Sequence, residues 1–485
     1  MHRNQGYPSG EVNRKGVRAN IVAKKSRNGD GAKEGRKIDG RRTDETKGRL
    51  ATVTEVESKQ AGEAQTGKMG WVERSVWTEF MLTALEEGVK GGKWYSLMDK
   101  VSKADNLAAA WKKVQSNKGS SGIDKQTIHA FANRAQEHLA TIAEKLRSGK
   151  YQPEGIRRVN ISKSGSKDKR PLGIPTVKDR VVQTALRNVI EPIFEKKFTD
   201  ESYGFRPKRS AKDALRQMQQ LLNEGRIWVV DADIQKYFDT IDHELLMVEV
   251  EKDIADGKIL ALIRQYLRQP IMDDIKSWEP EQGTPQGAVI SPLLANIYLH
   301  PVDAVLRAEG YHMVRYADDL VILCQTRAEA ERALERLRTL MEERKLTLHP
   351  VKTRIVDATQ RGGFDFLGYH FERGKHWPRK KSIEKLRNAI RAKTRRANGN
   401  SLETIITDIN PILRGWFHYF KHSHKYTFPT TDSWVRMRLR SILRKRRGGR
   451  GRERGQDHYR WPNAYFQKLG LFTMTEAHAK LCQSH

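Results

Sequence analysis

The chain has 485 residues, of which 90 are Lys or Arg and 59 are Asp or Glu, so its formal net charge is +31 at pH 7. This excess predicts a polyanionic partner, most simply nucleic acid, although charge alone does not separate DNA, RNA and an acidic membrane surface. The length predicts roughly three domains with a sizeable core. The two cysteines, Cys324 and Cys482, exclude a disulfide framework and a Cys-rich zinc site.

The distribution of apolar residues excludes two further classes. No apolar run approaches the roughly 20 residues that span a bilayer. The N-terminal segment MHRNQGYPSG lacks the apolar core of a secretory signal. The sequence therefore predicts no membrane partner and a cytoplasmic location, and association with a bacterial nucleoid would fit the charge.

The N-terminal part of the chain differs in composition from the rest. Gly, Lys, Arg, Asn, Asp, Glu and Thr dominate residues 1–70, and aromatic residues are almost absent. Such a composition buries too little apolar surface to offset the entropy lost on ordering, so we predict a disordered basic arm. Apolar residues at helical spacing begin at Trp71, which predicts a helical region over 71–155.

The rest of the chain divides into a mixed and a helical part. Residues 156–372 alternate apolar strands with helices, which predicts an α+β fold with helices against an antiparallel sheet. Residues 373–485 are helical in pattern and strongly basic. Nine Lys or Arg between positions 379 and 396 face a single acid, Glu384, an excess that intrahelical ion pairs cannot neutralise.

Two acidic motifs point to chemistry. Asp318 and Asp319 lie at a predicted turn between two apolar strands, although adjacent acids in a turn are also common as solvated surface. Asp233 ends the strand IWVVDADI, and Asp231 lies on the same side of that strand, so the pattern alone does not select between them. One carboxylate from this strand and two from the turn could hold two Mg²⁺ ions about 4 Å apart, which would activate a 3′-hydroxyl and stabilise a leaving pyrophosphate.

Two loops carry polar residues suited to a nucleotide. Lys163 and Arg170 flank a turn rich in Gly and Ser, where they could grip a triphosphate, or could equally be the basic tip of a hairpin. The loop GTPQG leaves room for a base pair to approach the backbone. Ser291 and Pro292 then form a typical helix start.

The order of these motifs resembles the reverse transcriptases encoded by group II introns. Over roughly residues 160–371 the chain reads RPLGIP, YGFRPKRS, DADIQKYFD, GTPQG with SPLLANIYL, YADD, LTLHPVKT and FDFLGYHF. The segment AAWKKVQSNKGSSGID resembles the N-terminal extension of that family, and LRGWFHYF with WVRMRLRSILRKRR resembles its thumb and maturase domain. The resemblance implies a right-hand polymerase, with the extension and the start of the fingers in 71–155, fingers and palm in 156–372, and thumb and maturase domain in 373–485.

The resemblance also implies a function and its partners. The expected protein is an RNA-directed DNA polymerase that binds its group II intron RNA, assists splicing and reverse transcribes the intron during retrohoming. Its expected partners are the intron RNA, a target DNA, an RNA template with a DNA primer, and dNTPs. Its expected cofactor is a pair of Mg²⁺ ions, with Mn²⁺ as a substitute.

The resemblance assigns roles to individual residues. Asp233, Asp318 and Asp319 match the catalytic metal-binding acids, with the carbonyl of Ile234 as a further ligand. The remaining matches are Lys163 and Arg170 at the triphosphate, Phe238 under the sugar, Gln286 near the templating pair, and Lys352 as the group that protonates pyrophosphate.

Some features depart from the family or leave alternatives open. Ala288 replaces the second glycine of the family's GTPQGG, and the cysteine count predicts that the zinc-supported His-Asn-His endonuclease of longer relatives is missing. His418, His422 and His424 have no acid nearby, so we expect packing or phosphate contacts rather than a metal site.

The alternatives to an active polymerase are an RNA-binding splicing cofactor with little polymerase activity, and a domesticated or retron-like reverse transcriptase.

Overall fold

The computed structural model describes residues 70–162, 169–273 and 276–483. The arm predicted for residues 1–70 therefore lies outside the described residues, apart from Gly70. Within the described ranges, no helix is long and apolar enough to cross a bilayer. The domain boundaries proposed above stay predictions.

The region that follows the arm is helical. Threonine hydroxyls cap two of its helices, because Thr78 accepts a hydrogen bond from the Met81 amide and Thr127 accepts one from the Ala130 amide. The helices are α1 (Glu79–Glu87), α2 (Met98–Val101), α3 (Ala104–Ser116), α4 (Ile128–Ala132) and α5 (Ala135–Arg147).

The middle of the chain alternates strands and helices, as its sequence predicts. Its first elements are β1 (Ile156–Ser162), β2 (Lys169–Ile174), α6 (Val177–Glu195), α7 (Ala211–Asn223), β3 (Trp228–Asp233), α8 (Tyr237–Thr240), α9 (His243–Glu251) and α10 (Gly257–Leu267). They are followed by β4 (Ile271–Asp273), β5 (Lys276–Trp278), α11 (Ser291–Ala308), β6 (His312–Tyr316), β7 (Asp319–Cys324), α12 (Arg327–Glu343), β8 (Arg354–Asp357), β9 (Phe364–Phe366), β10 (Tyr369–Glu372) and β11 (Lys375–Pro378).

These strands form three sheets. The central sheet has the order β6-β7-β3-β8 and is antiparallel throughout, a second has the order β2-β1-β4-β5, and a third has the order β11-β10-β9. On one face of the central sheet Val229 and Val321 pack in a core with α7, β9 and β10. On the other face Val230 and Ile322 join the large core that includes α6 and α11. The combination of helices and antiparallel sheet confirms the predicted α+β class.

The C-terminal part is helical and has a core of its own. Ile390, Ile409 and Leu439 are fully buried in it. The buried carboxylate of Asp432 accepts hydrogen bonds from the backbone N–H groups at the start of the last helix. The helices are α13 (Lys380–Lys393), α14 (Leu402–Phe420), α15 (Thr427–Arg446), α16 (Gly455–Arg460), α17 (Asn463–Lys468) and α18 (Met474–Gln483).

A buried ion pair fixes the hairpin of β6 and β7. The side chains of Arg315 and Asp303 are each 1% exposed. Arg315 Nε donates to Asp303 Oδ1 at 2.8 Å, and Nη2 donates to Asp303 Oδ2 and to Ser202 Oγ. Its Nη1 donates to Asn296 Oδ1 at 3.1 Å and to the Ala317 carbonyl at 2.8 Å. All five N–H donors of this guanidinium therefore have acceptors, which compensates for the loss of water.

Replacement of Arg315 with Met is expected to lower the free energy of unfolding by about 3–5 kcal/mol, because the Asp303 carboxylate would stay buried without its partner. Urea denaturation followed by circular dichroism measures the change. The matched control is Arg338→Met, since Arg338 forms an exposed ion pair with Glu335 at 3.2 Å and should contribute little. Equal stability of the two variants would contradict a structural role for the buried pair.

Candidate functional site

The central sheet brings three of the predicted acids to one end. Asp233, the last residue of β3, pairs in register with Asp319, the first residue of β7. Asp318 immediately precedes Asp319 and follows Ala317. Ala317 has a φ of +61°, which is in the left-handed region and turns the chain sharply. The acids thus lie on the ends of adjacent strands, where the sequence predicts them.

The carboxylates of this turn repel one another in a partly dehydrated environment. Burial raises the pKa of Asp318, and the negative charge of Asp233 raises it further. Burial also raises the pKa of Asp319 to about 7, with contributions from the charges of Asp231 and Asp318. Such a group favours proton or cation binding, because a nearby positive charge would relieve the repulsion.

Asp231 and Asp233, which sequence pattern cannot separate, have different surroundings. Asp231 lies within 3.5 Å of the Arg354 guanidinium, and burial raises its pKa to about 6 in spite of that partner. Asp233 lines a cavity of about 500 Å³ beside the turn. Asp231 does not line that cavity, so Asp233 is the acid of β3 that faces it.

The same cavity collects most of the predicted site residues. Those that line it are Arg170, Asp233, Ile234, Phe238, Gln286, Asp318 and Lys352. Asp319 is not among the lining residues, and the nearby backbone N–H of Leu367 lowers its pKa, against the larger effect of burial. Lys163 lies outside the described residues.

Lys352 reaches the acids from the loop before β8. Its Nζ lies 2.8 Å from Asp233 Oδ2, and both side chains are half exposed. Two further contacts fix this loop, since the His349 amide donates to the Asp233 carbonyl at 2.8 Å and Thr353 Oγ1 accepts from the Asp233 amide at 3.4 Å. A cation is thereby placed next to the carboxylate without burial of either charge.

Arg170 and Gln286 form the opposite wall of the cavity. Arg170 Nε donates to Gln286 Oε1 at 2.7 Å, and Gln286 Nε2 donates to Asp239 Oδ1 at 3.3 Å. The Gly173 amide also donates to the Gln286 carbonyl at 2.7 Å. The GTPQG loop is therefore attached both to β2 and to α8.

The glycine at the end of this loop is required by a close approach. Gly287 has a φ of +113°, and a Cβ there would lie 2.5 Å from the Gly173 carbonyl oxygen. Ala288, which departs from the family pattern, is buried and is not in the positive-φ region. Its methyl group is therefore compatible with the loop.

Phe238 lies on the floor of the cavity and is 8% exposed. The rings of Phe205 and Tyr237 contact it edge to face, with centroids 6.3 and 5.4 Å away. Its carbonyl accepts a hydrogen bond from the Thr284 amide at 2.7 Å. The ring is thus held by packing from one side and by the backbone from the other.

A second turn lies on the far side of Asp319. Leu367 has a φ of +46°, and its carbonyl accepts a hydrogen bond from the Tyr419 hydroxyl at 2.7 Å. Ser382 Oγ donates to the Gly368 carbonyl at 2.9 Å. Residues of α13 and α14 therefore hold the turn between β9 and β10, which belongs to the FLGY motif.

Sequence reasoning missed two residues that support the acidic turn. No local sequence pattern marks Arg315. Gly204 belongs to the YGFRPKRS motif, where a Cβ would lie only 2.2 Å from the Ala317 amide nitrogen. The glycine of this motif is a signal of a close backbone approach, although its partner is 113 residues away.

The basic C-terminal helices present a second candidate surface. Lys380, Arg387 and Arg391 line a groove along α13. The guanidinium groups of Arg387 and Arg391 lie over the Trp434 ring, 5.5 and 5.7 Å from its centroid. In the described ranges, no group of three or more Asp, Glu, His or Cys side chains is arranged to hold a metal ion. This includes His418, His422 and His424.

Comparisons with known proteins match two parts of the chain. Residues 161–371 match the model for "Reverse transcriptase (RNA-dependent DNA polymerase)", and residues 383–461 match the model for "Group II intron, maturase-specific domain". These two matches follow one another in the order that the sequence motifs predict.

Three curated relatives are similar to this chain. The group II intron-encoded protein LtrA of Lactococcus lactis subsp. cremoris is 40% identical over 201 residues, which cover 41% of this chain and 33% of that protein. Protein YkfC of Escherichia coli (strain K12) is 34% identical over 322 residues, 57% of this chain and 83% of that protein. The putative COX1/OXI3 intron 1 protein of Saccharomyces cerevisiae is 30% identical over 209 residues, 43% of this chain and 25% of that protein. The match therefore spans about a third of the length of LtrA.

Proposed function

The chain belongs to the family of group II intron-encoded reverse transcriptases that carry a maturase-specific domain, and from this premise we propose that it is an RNA-directed DNA polymerase. In this proposal it binds its group II intron RNA, assists splicing, and copies the intron into DNA at a target site during retrohoming. It would work in the bacterial cytoplasm, and at the nucleoid when it acts on DNA. The observation that carries the proposal is the cavity that Asp233 and Asp318 share with Arg170 and Phe238.

The donor set of this cavity fits divalent cations that prefer oxygen. Magnesium sites commonly use one or two carboxylates together with substrate phosphates and water. Asp233, Asp318 and the Ile234 carbonyl would hold Mg²⁺, or Mn²⁺ in its place, and Asp319 would supply negative charge from beside them. Two such ions, when bound, activate the primer 3′-hydroxyl and stabilise the leaving pyrophosphate.

The cations of the chain would act on the incoming triphosphate. Arg170 would exchange its hydrogen bond to Gln286 for two bonds to phosphate oxygens, and Lys163 would add a second positive charge. Gln286 would then be free to face the templating pair. Lys352, which pairs with Asp233 in the structure, would give a proton to the pyrophosphate.

Asp318→Asn is expected to lower template-primed dNTP incorporation by at least about two orders of magnitude, the typical cost of losing one group that stabilises charge in a transition state. Incorporation of labelled dNTP on an RNA template with a DNA primer measures the change. The matched control is Asp408→Asn, because Asp408 is a part-exposed acid on α14 that pairs with Lys393. Equal incorporation by wild type and Asp318→Asn would refute the catalytic role of Asp318, whereas no incorporation by the wild type would favour the splicing cofactor with little polymerase activity.

Phe238→Val should raise the use of rNTPs relative to dNTPs by about tenfold or more, because the smaller side chain leaves room for a 2′-hydroxyl under the sugar. Primer extension with each nucleotide type gives the ratio of kcat/KM values. Phe205→Val is the control, since Phe205 contacts Phe238 but does not line the cavity. An unchanged ratio in Phe238→Val would refute the role of this ring in sugar selection.

Affinity for the intron RNA should fall by on the order of 10³-fold between about 50 and 200 mM salt, because binding to phosphates releases counterions. Filter binding over a salt series gives the slope. Arg391→Ala should reduce that slope by about 1, as expected for one lost phosphate contact. A flat salt response of the wild-type protein would contradict RNA binding by the basic helices.

A further inference from the structure

A second cavity, of about 440 Å³, lies between α7 and the sheet of β10 and β11. None of the residues assigned above to metal or triphosphate lines it. Its volume is within the range of small-molecule binding pockets. The family matches and the proposed polymerase reaction leave this cavity without a role.

One wall of the cavity is aromatic. Tyr369 and Phe371 lie two residues apart on the same face of β10, and both are buried. Tyr419 of α14 packs beside them, with its ring centroid 5.9 Å from that of Tyr369. His376 adds a fourth ring, 5.4 Å from Phe371. Aromatic faces of this kind accept a flat heterocycle by stacking, whatever its hydrogen-bonding pattern.

The cavity is also lined by positively charged side chains. Lys212 and Arg216 are one helical turn apart on α7 and both line the cavity. Arg216 forms an exposed ion pair with Asp213, whereas no acidic side chain of the described residues pairs with Lys212 or lines the cavity. Burial lowers the pKa of His422 in the same lining, and the charges of Arg216 and Lys212 lower it further. The lining therefore has a positive potential that an anion would relieve.

We propose that this cavity binds one nucleotide, with its base against Tyr369, Phe371 and Tyr419 and its phosphate between Lys212 and Arg216. The combination of aromatic rings and two cations in the lining of one cavity matches a planar base joined to a phosphate. The nucleotide is either an unstacked residue of a bound RNA strand or a free mononucleotide. The first source rests on the proposed RNA binding, and the second does not.

The test is a titration of the full chain with 2-aminopurine riboside 5′-monophosphate, a fluorescent nucleotide, at low salt. Saturable binding is expected, and Lys212→Ala with Arg216→Ala should weaken it by at least about tenfold through loss of charge-assisted hydrogen bonds. The matched control is Arg338→Ala. Arg338 is an exposed cation on α12 that pairs with an acid three residues before it, Glu335, as Arg216 pairs with Asp213. 2-Aminopurine riboside without phosphate should bind more weakly than the monophosphate.

A cavity-filling variant separates this site from the polymerase cavity. Gln219 lines the second cavity from α7 and is part exposed, so Gln219→Trp should occupy the space without disturbing a core. Binding of the fluorescent monophosphate should be lost in Gln219→Trp if the cavity is the site. Persistence of binding in a folded Gln219→Trp protein, checked by circular dichroism, would overturn the proposal.

Two RNA hairpins identify the source of the nucleotide. One carries a single bulged 2-aminopurine and the other carries it in a base pair. If the protein changes the fluorescence of the bulged 2-aminopurine, and this change is lost in Lys212→Ala with Arg216→Ala, the bound nucleotide is a residue of RNA. If only the monophosphate binds, the site takes a free nucleotide. Binding of neither probe would overturn the proposal. Template-primed incorporation by wild type, measured in parallel, reports on the polymerase independently.

Discussion

A single buried guanidinium holds together the part of the molecule on which the chemistry depends. The turn that carries Asp318 is short and places Ala317 in a left-handed conformation, so its own backbone does not fix it. Arg315 supplies that fixation because it bonds the Ala317 carbonyl and, through Asp303 and Asn296, ties the turn to α11. Burial of this charge costs free energy because the guanidinium loses its water. The complete set of hydrogen-bond acceptors compensates for that loss and fixes the orientation of the side chain.

The strands and turns of the site could be predicted from the sequence, because period-2 patterns, paired acids and Gly-Pro loops are local signals. The choice between Asp231 and Asp233 could not be predicted from pattern alone. Both acids have a cationic partner from a distant part of the chain, Arg354 for Asp231 and Lys352 for Asp233, and only Asp233 lines the cavity. The absence of Asp319 from the lining of the cavity could not be predicted either, since its surroundings include residues such as Leu367 from a distant part of the chain.

Charge is distributed unequally between the two cavities and the C-terminal helices. The first cavity is lined by both carboxylates and cations. The second cavity and the groove along α13 carry mainly positive groups backed by aromatic rings. A chain with a large positive charge therefore still brings acidic side chains together in one cavity.

The Tyr419 hydroxyl connects α14 to the acids through one intermediate residue. It donates to the Leu367 carbonyl, and the Leu367 N–H in turn faces the Asp319 carboxylate. Leu367 therefore lies in contact with both α14 and the acidic end of the central sheet. A movement of α14 would therefore change the position of the Leu367 backbone beside Asp319, so a single residue separates the C-terminal helices from the acidic turn.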